Sequence, residues 1–101
     1  MGCINGGSDV KKVNVETQDQ LKAHNAKCFL VTCMDFRLID DITHFMNQLG
    51  YNNNYDQFIL AGSSLGLNQD KFPHWGQTLA DHMNIGLGLH DFREIIVIDH
   101  K

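Results

Sequence analysis

The sequence predicts an α/β fold, in which a parallel β-sheet of three strands is flanked by helices. Three short apolar segments are rich in strand-forming residues, and segments with helical spacing separate them. Strands that are apolar on both faces and alternate with helices are typical of parallel sheets, because the helices then cover both faces. A chain of 101 residues holds one domain at most. We expect a flexible N-terminus over residues 1–14 and a single α/β domain over residues 15–101 that is incomplete at its C-terminus.

The first half of the chain is predicted to form a helix, a strand and a second helix. Residues 15–25 are compatible with a short helix, and residues 27–33 form a compact apolar segment that fits a central strand. The second helix is predicted to begin at Asp40 and Asp41 and to end at Gly50. Its apolar residues recur at spacings of three and four: Ile42, Phe45, Met46 and Leu49.

The second half of the chain is predicted to form strand, helix, strand. Residues 57–61 are a second buried strand, which ends at the glycine–serine turn of residues 62–64. Pro73 suits the first turn of a helix, and an apolar stripe continues that helix to about His90. Residues 95–98, Ile-Ile-Val-Ile, form a third continuous apolar strand.

The charge and cysteine content exclude several classes of partner. The net charge is −4 and the eight Lys and Arg residues are scattered, so no basic stripe can neutralise a run of phosphates, and nucleic acid is not expected. No apolar segment approaches the ~20 residues that span a bilayer, and the N-terminus lacks a secretory signal, which predicts a cytoplasmic protein. Three cysteines without an export signal predict reduced thiols, available as ligands or nucleophiles.

Residues suited to metal chemistry stand where the predicted strands end. Functional residues of parallel sheets gather just past the carboxyl ends of the strands, and here Cys33 ends the first strand and His100 the third. A thiolate and an imidazole at neighbouring strand ends can converge on one zinc ion. Asp35 can supply oxygen as a third ligand, and Arg37 can pair with that carboxylate through its planar fork. A carboxylate that either ligates the metal or is held away by an arginine would decide whether a position stays open for water.

Three short segments at the predicted strand ends match a known pattern. Residues 33–37, Cys-Met-Asp-Phe-Arg, are similar to the Cys-x-Asp-x-Arg motif of the β-class carbonic anhydrases. Residues 61–62, Ala-Gly, resemble a turn of that family, and residues 96–100, Ile-Val-Ile-Asp-His, resemble the strand that delivers its zinc histidine. The resemblance runs from about Lys27 to Lys101, with the elements in matching order and spacing.

The resemblance implies a zinc-dependent lyase that interconverts carbon dioxide and bicarbonate. It makes Cys33 and His100 zinc ligands, and it makes Asp35 and Arg37 the dyad that gates and orients the water on the metal. Members of the family usually pair as homodimers or larger assemblies. Carbon dioxide or bicarbonate, and a second chain of the same or another kind, are therefore the expected partners.

The sequence departs from the family pattern at three points. In the family a second cysteine ligand follows the histidine after two residues, whereas this sequence stops at Lys101. Asp99 precedes His100 where many members have glycine or a neutral residue, and Phe36 stands where small residues are common. The zinc ligand set within the 101 residues is thus short of one thiolate. A third strand that finishes at the end of the sequence also leaves little to cover the sheet, so we expect the native product to continue past Lys101.

Other interpretations of the same residues stay open. Cys33 can be an ordinary buried cysteine, and His100 a solvated terminal residue. Asp35 and Arg37 can form a surface ion pair that contributes little stability. A catalytically inactive structural or assembly subunit, with sheet edges that invite pairing, is an alternative function, as is a related zinc hydrolase of a carbon dioxide-like substrate such as carbonyl sulfide.

Cys28, five residues before Cys33 on the same strand, is expected to face the opposite side and to belong to the core.

Overall fold

A three-stranded parallel sheet lies at the centre of the protein. The computed structural model describes residues 9–15 and 25–99. Strand β1 (Cys28–Cys33) is central, with β2 (Tyr55–Leu60) on one side and β3 (Glu94–Val97) on the other, in the order β2-β1-β3. The predicted α/β fold with a parallel sheet and flanking helices is therefore confirmed, and each strand lies within two residues of its predicted position.

Strand β1 occupies the centre because it is apolar on both faces. Its first five residues are buried, and only Cys33 at its end is partly accessible. The register pairs Cys28 with both Tyr55 and Glu94, so the three strands begin level with one another. Single hydrogen bonds extend the ladders beyond the strands: Met34 N–H donates to Leu60 O, and Ile98 N–H donates to Val31 O. The carboxyl ends of all three strands consequently lie at the same edge.

Helices α1 (Ile39–Gln48), α2 (Ser64–Leu67) and α3 (His74–His90) connect the strands. A short 3₁₀ turn (Phe36–Leu38) leads into α1, which begins one residue before the predicted start. Gly50, with φ of 84°, ends that helix region as predicted, because glycine adopts the left-handed conformation without steric cost. Pro73 takes the N-cap position of α3, also close to its predicted place.

The core has two parts, one on each face of the sheet. On the face covered by α1, Cys28 and Leu30 pack against Met46. On the opposite face, Phe29 and Val31 pack with Phe92, and the partly buried Leu79 and Met83 of α3 complete this part. Alternation along β1 divides its side chains between the two. Cys28 thus belongs to the core, on the face opposite Cys33, as predicted.

Two predictions for the N-terminal part of the chain concern residues that are only partly described. Residues 9–15 are exposed and lack regular secondary structure. Residues 16–24 of the predicted first helix lie outside the described ranges, as does most of the predicted flexible N-terminus. Across the described portion of the chain, no helix combines the length and apolar character that crossing a bilayer requires.

Candidate metal centre

The carboxyl ends of the three strands meet around the junction between β2 and α2, residues 61–64. The backbone N–H of Gly62 donates a hydrogen bond to Cys33 Sγ, 3.4 Å away, at the end of β1. Two residues further on, Ser64 binds the carboxylate of Asp99, which follows β3. The sequence predicted that polar groups would gather at these three strand ends, and the β2–α2 junction links all three.

Cys33 is a free, partly accessible thiol at this edge of the sheet. Its place at the end of the central strand pairs it with Leu60 of β2. Metal ligands are typically oriented by hydrogen bonds from the surrounding protein, and the Gly62 N–H supplies one such bond to the sulfur. The predicted ligand Cys33 is therefore held in place and remains open to a further bonding partner.

Asp35 and Arg37 form the predicted pair through three hydrogen bonds. Arg37 Nε donates to Asp35 Oδ1 at 3.0 Å, and Arg37 Nη2 donates to Asp35 Oδ2 at 2.5 Å. The backbone N–H of Arg37 also donates to Oδ1, so Asp35 caps the 3₁₀ turn. The hydrogen bonds and charge of Asp35 raise the pKa of Arg37, so the guanidinium stays charged. Both oxygens of Asp35 therefore face the arginine.

Backbone strain marks the β2–α2 junction. Ser63 has φ of 49° and ψ of −122°, a conformation that costs a non-glycine residue on the order of 1–3 kcal/mol. Its side chain is fully buried, and its hydroxyl makes no hydrogen bond of good geometry within the described part of the chain. Close packing holds α2 against the junction, because a Cβ on Gly66 would lie 1.9 Å from the carbonyl oxygen of Ala61.

Asp99 is the member of this site that the sequence did not assign a role. Its Oδ1 accepts the backbone N–H of Ser64 at 3.0 Å, and its Oδ2 accepts the Ser64 hydroxyl at 2.8 Å. The hydrogen bond from the Ser64 hydroxyl lowers the pKa of Asp99 most, and the bond from the Ser64 N–H lowers it further. The nearby Ser63 side chain adds a smaller lowering. One signal in the sequence could have pointed to Asp99: a carboxylate stands where many members of the resembled family have glycine or a neutral residue. Its partner Ser64 could not be identified without knowing which strand ends are neighbours.

A cavity of about 320 Å³ lies beside Cys33 and Asp35, between the edge of β2 and the start of α1. Its size is within the range of small-molecule sites. Its lining includes both apolar and polar side chains, among them Ile39, Ile42 and Ile59, and Thr32, Thr43 and Gln57. The cavity can therefore admit a small uncharged molecule next to the candidate ligands.

The predicted ligand set is only partly within the described residues. Cys33 and Asp35 lie there, whereas His100 lies outside them. Within residues 9–15 and 25–99, no three His, Cys, Asp or Glu side chains are grouped so that they could hold a metal ion. A metal bound at Cys33 thus needs a ligand from beyond these ranges, and a sulfur, nitrogen and oxygen donor set would suit zinc.

The three histidines of α3 have separate neighbours. The His74 ring lies against Phe72, and the His82 ring lies edge-on to Phe58. His90 Nδ1 lies 2.7 Å from Asp56 Oδ2 and links the end of α3 to β2. These side chains pack α3 onto its surroundings and do not form a chelating face.

Comparison with known proteins finds relatives in Rickettsia. A protein of Rickettsia bellii is 42% identical over 96 residues, which cover 93% of this chain and 58% of the relative. A protein of Rickettsia conorii is 39% identical over 92 residues, which cover 91% of this chain and 50% of the relative. Both are named as uncharacterized proteins, and the chain spans about half the length of each. No protein-family model and no solved structure matches the chain.

Proposed function

We propose that this chain carries the zinc site of an enzyme that interconverts carbon dioxide and bicarbonate, as the β-class carbonic anhydrases do. The observation that supports the proposal most is the grouping of Cys33 with the Asp35–Arg37 pair at the carboxyl end of the central strand. The resemblance of residues 33–37, 61–62 and 96–100 to that family adds to it.

Cys33 and His100 would hold the metal in this proposal, and Asp35 is a further possible ligand. A zinc ion with one open coordination position supplies an activated water at neutral pH. The described residues offer donor atoms that suit zinc, since Cys33 Sγ could bind the ion while it accepts the Gly62 N–H. Its ligand set would be completed by residues outside the described ranges.

Arg37 would control the Asp35 carboxylate in the same reaction. The two side-chain bonds from Arg37 fix the plane and position of the carboxylate, and they keep both of its oxygens turned to the guanidinium. Loss of those bonds would free Asp35 to approach the metal and occupy the position that water needs. The cavity beside both residues would receive the small, uncharged carbon dioxide molecule.

The proposal predicts a specific pattern of activities in carbon dioxide hydration. Zinc-loaded protein, measured by stopped flow, should catalyse hydration, and Cys33→Ser should abolish that activity because a metal ligand is lost. Arg37→Lys should also reduce kcat strongly, since lysine keeps the charge but cannot form the two-bond fork. Cys28→Ala is the matched control, because it removes a thiol of the same strand on the opposite face. Equal activity in Cys33→Ser and Cys28→Ala would remove the proposal.

A second candidate function, an inactive structural or assembly subunit, is favoured by the exposed apolar residues of the outer strands. Ile95 and Val97 of β3 are about half exposed, and so is Ile59 of β2. Edges of this kind can pair with another copy or another chain. Metal analysis separates the two functions: about one zinc per chain supports the enzyme, and oligomers free of zinc support the assembly subunit.

A further inference from the structure

We draw no further inference here: the strongest candidate, the open cavity of about 300 Å³ between β2 and α3 whose walls include Phe58, Leu60 and Trp75, is an unpartnered apolar face, and nothing in the described part of the chain shows what covers it.

Discussion

At the scale of single residues, Cys28 and Cys33 show how one strand gives two thiols different chemistry. Cys28 is fully buried beside Leu30 and Met46, and burial raises its pKa from 9.0 to about 11, with the carboxylates of Glu94 and Asp56 adding to the effect. Cys33 is partly accessible and accepts the Gly62 N–H. An inert core thiol and a candidate ligand thus stand five residues apart.

The raised pKa of Cys28 predicts a loss of stability in alkaline solution. Below pH 9 the thiol is protonated in both states; between pH 9 and about 11 the unfolded chain ionises first, so it binds fewer protons and the free energy of unfolding falls. Urea titrations from pH 8 to pH 11 measure this fall. Cys28→Ala should reduce the slope of this curve, most clearly between pH 9 and pH 10, because the raised pKa of Tyr51 adds a fall of its own at higher pH. A slope that Cys28→Ala leaves unchanged between pH 9 and pH 10 would contradict the assigned cause.

At the scale of elements, helix α3 approaches the sheet most closely at Gly86. A Cβ there would lie 3.0 Å from the Phe92 ring and 3.3 Å from Asp56 Oδ2. The Phe92 ring cannot move away easily, because it is buried and its centroid lies 5.2 Å from that of Phe29. Two residues later in the same helix, a Cβ on Gly88 would meet no atom within 4 Å.

These surroundings predict opposite effects for two alanine substitutions in α3. Gly88→Ala should raise the free energy of unfolding by about 0.4–1 kcal/mol, since alanine restricts the unfolded chain and favours the helix. Gly86→Ala gains the same advantage but overpacks the core, which typically costs about 1–3 kcal/mol, so a net loss is expected. Denaturant titrations of both variants measure the difference. Equal stabilisation by both would mean that α3 does not pack this closely.

The elements that the sequence predicts well are those with a clear pattern. Strand β1 is a continuous apolar segment, and α1 repeats its apolar residues at helical spacing, so both were predicted within two residues of their bounds. Helix α2 and the 3₁₀ turn were missed, because four and three residues are too few to show a period. The Asp35–Arg37 pair was predictable from local spacing. The Ser64–Asp99 bond was not, since it joins residues 35 positions apart.

At the scale of the whole molecule, the candidate metal centre lies at one edge of a small sheet whose outer strands are exposed. Ile95 and Val97 of β3 are about half exposed, and the chain spans 58% and 50% of the length of its two Rickettsia relatives. If the protein is an assembly subunit, as the second proposal has it, a second copy or another chain would cover these outer strands. The junction of residues 61–64 is the part of the molecule that connects the strand ends into one site.

The central claim is that Cys33 binds a metal ion together with a ligand beyond β3, and cobalt substitution tests it most directly. Cobalt(II) bound by a thiolate gives a strong ultraviolet charge-transfer band and, in tetrahedral geometry, intense visible absorption. We predict both in the unaltered chain and in Cys28→Ala, loss of the charge-transfer band in Cys33→Ser, and weakened binding in His100→Ala. A charge-transfer band that persists in Cys33→Ser, or its absence from the unaltered chain at saturating cobalt, would contradict the claim.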